Sequence, residues 1–256
     1  MKWLRKTYVA IVMAFLYAPI LVLIVFSFNK SKSRGAWTGF TLSWYQRLFT
    51  NEAIIQSLIN TLVVALISSV LATVIGTLAA IGIRNMGRLS RSVVMNVTYM
   101  PVINPEIVTG VSLMLLFVFV KNAGVQLEFG FVTLVLAHIT FNIAYVILNV
   151  MPKLRQMDVS VYEAAQDLGC SPMQAFFKVV IPEIMPGILA GFLMAVTYSL
   201  DDFIISYFVT GPTSQTLPIT IFSMTRRKVS PEINALSTII FVVVLIVLLA
   251  VNLNDA

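Results

Sequence analysis

Four stretches of this chain, residues 7–29, 53–83, 129–152 and 233–254, contain no Asp, Glu, Lys or Arg. Each is long enough for the roughly 20 residues that cross the hydrocarbon core of a bilayer. Two more qualify if internal acids are allowed: 92–120, interrupted by Glu106, and 184–208, interrupted by Asp201 and Asp202. Inside a bilayer every backbone polar group must be satisfied within the protein, so runs of this length fold as helices. Composition agrees: 11% of residues are charged and 59% hydrophobic, against roughly 25% charged in a soluble domain. The expectation is an all-α membrane protein with six transmembrane helices at about 8–28, 58–83, 92–120, 129–151, 186–208 and 233–253. The first run is too long for a signal-peptide core and lacks a small-residue cleavage site after it, so it reads as a retained anchor.

Several chemistries are excluded early. One cysteine, Cys170, allows neither an internal disulfide framework nor a zinc cluster, and one histidine, His138, leaves no pair for a metal or a triad. His138, in an apolar span, reads as a hydrogen-bonded packing residue, and Cys170 as a small filler. No Gly-x-x-x-x-Gly-Lys-Ser/Thr run occurs, so any nucleotide energy must come from another polypeptide. The net charge of +6 lies in short clusters between apolar runs: Lys2, Arg5 and Lys6; Arg84, Arg88 and Arg91; Arg226, Arg227 and Lys228. Such clusters fit topology and lipid headgroup contacts, not nucleic acid. An even number of spans puts both termini on one side, and the basic start makes that side cytoplasmic. No internal repeat or linker divides the chain, so residues 1–256 are expected to form a single transmembrane domain.

Between Pro152 and Pro186 the chain reads as a cytoplasmic pair of short helices at about 160–181. Ser160 followed by Glu163 matches a capping box, which starts the first helix at Ser160. Ala164, Ala165 and Leu168 continue it, and Gly169 stands where a left-handed residue ends a helix. Ser171, Pro172 and Gln174 repeat the start signal, and the second helix is expected to run to Pro182. Val161, Ala164, Leu168, Met173, Phe176 and Phe177 provide apolar faces too short to span. An amphipathic loop helix packed on the membrane face would share these caps.

The spacing carries more than the caps do. Glu163-Ala164-Ala165, then Gly169, Val179 and Ile181-Pro182, resembles the Glu-Ala-Ala motif of permease subunits in ATP-binding-cassette importers, with Val179 and Ile181 in place of the commoner Ile and Leu. The resemblance implies the type I importer (MetI-like) permease fold. It further implies that Glu163, Ala164, Ala165, Gly169 and Pro182 belong to coupling helices that dock into a cytoplasmic ATPase. The run from Ser199 to Pro212, followed by Leu217-Pro218 and Ser230 to Ala235, together with Pro19 and Trp44-Tyr45, is similar to the spermidine/putrescine branch of that family. This implies a heterodimer with a second permease subunit, two copies of the ATPase, and an extracytoplasmic polyamine-binding protein. ATP and Mg would be bound by the ATPase, with no cofactor in this chain, no catalytic site, and a place in the bacterial cell membrane.

The acids inside apolar runs are the candidate substrate pathway. At 1.5 Å per residue from Pro186, Asp201 lies about 22 Å into a core about 30 Å thick, toward the outer half. An ionised carboxylate there costs at least about 2.5 kcal/mol unless it meets water or a cation. A polyamine is a chain of protonated amines, and carboxylates beside aromatic rings would receive it through charge-assisted hydrogen bonds and cation–π contacts. Tyr198 and Tyr207 have the spacing to serve Asp201 and Asp202. Helix neighbours point about 100° apart, so only one of the two acids should face a common path. The sequence does not say which, and it allows both to be structural acids satisfied at the outer interface. Glu106, after Pro101 and Pro105, either lines the same passage or sits at an interfacial break of the third span. The basic outer cluster at 226–228 would repel a polycation, so it is expected to dock the binding protein's surface, with loose lipid headgroup contact as the alternative. Two rivals remain: the same importer class with another small solute, and a self-contained cation channel or secondary carrier, which would need no coupling helices.

Overall fold

The computed structural model describes residues 2–31, 36–227 and 231–254. Lys228 and Ser230 lie outside the described residues, as does the side chain of Arg227. The elements in order are α1 (Lys2–Ser27), α2 (Ser43–Thr50), α3 (Glu52–Arg84), α4 (Arg88–Ile103), α5 (Glu106–Asn122), α6 (Phe131–Gln156) and α7 (Val159–Asp167). Then come α8 (Pro172–Ala175), a π turn (Phe176–Val180), α9 (Ile181–Asp201), α10 (Ile204–Val209), α11 (Leu217–Arg227) and α12 (Pro231–Asn254). Among the described residues the only extended pairing is an isolated bridge between Asn29 and Phe40.

Four helical stretches are long and apolar enough to cross a membrane: Arg5–Ser27, Glu52–Arg84, Phe131–Gln156 and Pro172–Asp201. The stretch 92–120, expected as a span broken or kinked by Pro101 and Pro105, is two helices, α4 and α5, bent by 106°. Pro105 explains the break, because a proline pushes the preceding residue out of the helical region, and Asn104 is extended at φ −71, ψ 143. The span expected at 186–208 is corrected. Its helix starts upstream of Pro186 and stops at Asp201, and Asp202 is extended at φ −64, ψ 117 before the short α10 begins. The Asp202 carboxylate takes the amides of Ile205 and Ser206, an alternative to helical pairing that aspartate side chains offer readily.

The chain forms two compact units, residues 1–56 with 220–256, and residues 57–219. In the first, α12 packs on α1 and α2, and the segment joining α1 to α2 is tied down by its own polar groups. Trp44 Nε1 donates to the Asn29 carbonyl at 2.8 Å, and Asn29 Nδ2 donates to the Ala36 carbonyl at 2.8 Å. Tyr45 and Ser27 hydroxyls meet at 2.7 Å, while Phe28 stacks on Phe40 at 5.4 Å. Buried Asn29 and half-buried Tyr45 are thereby satisfied, as buried polar groups must be.

In the second unit α6 is the central helix, and α9 crosses it closely. The contact stripe on α9 is Gly187, Gly191, Ala195 and Ser199, four residues apart and all buried. This small-x-x-x-small spacing brings two helix backbones together. A Cβ on Gly191 would stand 3.1 Å from Val146 Cα, so nothing larger than hydrogen fits that crossing without movement. Where the stripe reaches Ser199, Asn142 of α6 donates to its Oγ at 2.8 Å, and Ser68 of α3 meets it at 3.3 Å. Around this seam Ile147, Val150, Leu154, Ile184 and Ala195 form one apolar cluster, with Leu113, Phe117, Leu134 and Ile205 in another.

Candidate functional site

Two regions of residues 57–219 gather the candidate residues. The first is the helix pair after α6. Its start differs from the expected Ser160 capping box: the cap is Asp158, whose carboxylate accepts the Ser160 amide at 2.9 Å, and the helix begins at Val159. Aspartate is the stronger cap because its charge also faces the positive end of the helix dipole. That amide holds the exposed Asp158 carboxyl below the usual carboxylate range.

The turn after α7 matches expectation in detail. Gly169 has φ +91, its amide donates to Gln166 O at 2.8 Å, and the Cys170 amide donates to Ala165 O at 3.1 Å. These two bonds make a Schellman closure, which requires a left-handed residue at the glycine position. Ser171 and Gln174 then exchange reciprocal cap bonds at 3.3 and 3.1 Å. The second helix does not end at Pro182, as expected. It passes through the π turn, where the Ile181 amide reaches five residues back to Phe176, and continues as α9. A proline inside a helix lacks an amide and crowds the carbonyl four residues back; the wider turn just before it absorbs that conflict. Residues Pro172–Asp201 are therefore one continuous helical rod.

No residue of α7 is buried. Val161, Leu168, Met173 and Phe177 are exposed, Leu168 at 87%, and Glu163 and Ala164 stand exposed with them. Phe176 and Val180, on the opposite face, pack into the bundle. The pair thus presents an uncovered apolar surface with an acid in it, held by fully formed caps.

The second region is a cavity of about 300 Å³ where the α4–α5 break meets the end of α9. Glu106, the first residue of α5, and Asp201, the last of α9, both line it, with Thr109, Tyr145 and Tyr198 on the wall. Tyr145 of α6 and Tyr198 of α9 stack with centroids 4.2 Å apart and planes 20° apart. Asp202 touches the same cavity but is itself buried: its side chain is 5% exposed, with His138 Nε2 3.4 Å away. Of the sequence candidates, Asp201, Asp202, Tyr198 and Glu106 are brought together. Tyr207 is not; it is exposed on α10 and packs against Phe203 at 5.6 Å.

Tyr145 and Thr109 were not singled out by sequence. Tyr145 lies seven residues beyond His138, so helical spacing puts both on one side of α6, and Thr109 is one turn after Glu106. Those spacings were the available signals, but they point at a cavity only once the partner helices are known. Among the described residues no three His, Cys, Asp or Glu side chains gather as a metal site. Two carboxylates, two stacked phenols and a hydroxyl can hold an organic cation.

Residues 72–255 match the family described as binding-protein-dependent transport system inner membrane component. The chain belongs to that family. It is a membrane transport component and not an enzyme. It is 42% identical over 229 residues to the putrescine transport system permease protein PotI of Escherichia coli (strain K12), covering 88% of this chain and 81% of that one. It is 38% identical over 252 residues to the spermidine/putrescine transport system permease protein PotC of the same strain, covering 98% and 94%. In fold it is similar to a bacterial ABC transporter involved in the import of the acidic polysaccharide alginate, with a TM-score of 0.73 at 17% identity over 96% of this chain and 92% of that one. An amino acid ABC transporter solved with histidines aligns at a TM-score of 0.56 and 21% identity over 85% of this chain and all of that one.

Proposed function

We propose that this chain is the permease subunit of an ATP-driven importer of polyamines, spermidine or putrescine, delivered by an external binding protein. The observation that carries the substrate is the joint placement of Asp201 and Glu106 on one tyrosine-walled cavity. Two protonated amines of a polyamine can each meet a carboxylate, Asp201 and Glu106, and the outer faces of the stacked Tyr145 and Tyr198 rings offer cation–π contact worth about 0.5–2 kcal/mol. The identities to PotI and PotC support the same substrate class.

The chain acts as one six-span permease domain, residues 1–256, with the bent α4–α5 pair as its third span, α12 as its sixth, and both termini in the cytoplasm. A second permease subunit completes the passage, and two ATPase copies grip the helix pair that carries Glu163, Ala164, Ala165 and Gly169. ATP hydrolysis in those partners supplies the energy. Because α8, the π turn and α9 form one rod, displacement of the gripped end moves the Asp201 end directly. That is alternating access: the cation site faces outward to receive substrate and is reshaped to release it inward. Pro182 sits at the π turn of this rod.

The test is reconstitution of the permease pair, ATPase and binding protein in liposomes. Uptake of labelled putrescine or spermidine should require ATP, and Asp201→Asn should reduce it about tenfold or more with assembly intact. Competition by unrelated solutes but not by polyamines would move the reading to another substrate. Flux through this chain alone would replace the importer with a channel or carrier.

A further inference from the structure

Beside the cavity, and not on its wall, a buried histidine meets the residue that follows Asp201. At Asp202 the backbone leaves the α9 helix, and the Asp202 carboxylate is occupied by the turn it creates: Oδ1 accepts the Ile205 amide at 3.2 Å and Oδ2 the Ser206 amide at 2.7 Å. A third partner comes from a different helix. His138 Nε2, on α6, stands 3.4 Å from Asp202 Oδ2 and 3.0 Å from Ser206 Oγ. The His138 side chain is 0% exposed.

Local bonds within residues 202–206 can form wherever that turn happens to sit. His138 joins the turn itself to the central helix of the unit, while Thr133 Oγ1, donating to the Val209 carbonyl at 2.7 Å, joins the far end of α10 to the same helix. A carboxylate this deep is costly unless its partners are kept, so the turn is held where His138 is. Asp201 is the last helical residue of α9, so an anchor on Asp202 fixes the end of the helix on which the Asp201 carboxylate stands.

We propose that His138 is a positioning residue for the cation site: by anchoring Asp202 and Ser206 to α6 it fixes the break between α9 and α10, and so holds Asp201 in the cavity without touching substrate. The substrate half of this statement rests on the polyamine reading; the geometric half does not, and the experiment separates them.

The experiment uses the assembled importer in liposomes, with Cys170→Ser and Asp201→Cys in this chain, and follows labelling at position 201 by a cationic methanethiosulfonate. His138→Ala should slow labelling about tenfold, and His138→Gln, whose amide can donate from a similar place, should restore it to within about twofold. Labelling that is unchanged in His138→Ala, or as slow in His138→Gln as in His138→Ala, overturns the proposal. If His138→Ala fails to assemble, Ser206→Ala removes a single hydroxyl from the same anchor and should slow labelling about threefold; no change there is equally fatal. With Asp201 retained, His138→Ala should raise the half-saturating polyamine concentration more than it lowers the maximal rate, and should add little to Asp201→Asn. Labelling that depends on His138 while uptake ignores Asp201→Asn would remove the polyamine reading and leave the positioning role standing.

Discussion

At Gly169 a side chain would meet no neighbour, since no atom lies within 4 Å of where its Cβ would be. The cost of a larger residue is therefore conformational, about 1–2 kcal/mol for a left-handed non-glycine. Gly169→Val should open the Schellman turn and misplace the second helix, reducing ATPase co-purification and uptake together; retention of both would dissociate the turn from coupling. Asp158 carries a pH-dependent contribution whose sign follows from its lowered pKa. The capping term is full above the ordinary aspartate value of about 3.9 and is lost as pH falls through the lower folded value. Asp158→Ala should speed exchange of the Ser160 amide near neutral pH, with the difference from wild type vanishing in strong acid. At this scale Gly169 was legible because only a positive φ explains a glycine between two helix signals. Asp158 was not, because Ser160 with Glu163 offered an equally well-formed cap two residues later and only the backbone path chooses between them.

The crossing of α6 and α9 depends on the spacing Gly187, Gly191, Ala195, Ser199. Gly191→Leu would drive a side chain into the Val146 backbone and separate the rods, with a penalty of about 1–3 kcal/mol or more from overpacking. The expected outcome is loss of the assembled complex in detergent extracts, measured by size-exclusion chromatography, whereas Leu189→Ala on the exposed face should assemble normally. The break at Asn104–Pro105 was legible because two prolines and an acid interrupt an apolar run. Its 106° angle was not, since a proline frees backbone groups without saying where they find partners. The continuity through Pro182 was the reverse case. A proline usually ends a helix, and the π turn that carries this helix past it has no sequence signature of its own.

For the whole molecule, the orientation proposed here puts the Glu163 surface in the cytosol, where a motor subunit can reach it. A cysteine introduced by Glu163→Cys in the Cys170→Ser chain should resist membrane-impermeant thiol reagents in intact cells and react after permeabilisation. Reaction in intact cells would invert the topology and remove the coupling scheme. Isolated binding-protein docking to the outer loops should weaken as salt rises, because exposed charges interact over about 10 Å at 0.1 M ionic strength.

Apolar run lengths and the punctuation of residues 160–174 sufficed by themselves to indicate a helical membrane protein with a capped helix pair, because span length and cap chemistry are local properties. The division of labour between Asp201 and Asp202 needed the tertiary structure. Adjacent residues on one helix differ only in direction, and what lies in each direction is contributed by α5 and α6. There, Glu106 and Tyr145 share the open cavity with Asp201, while His138 meets Asp202 in the packed interior.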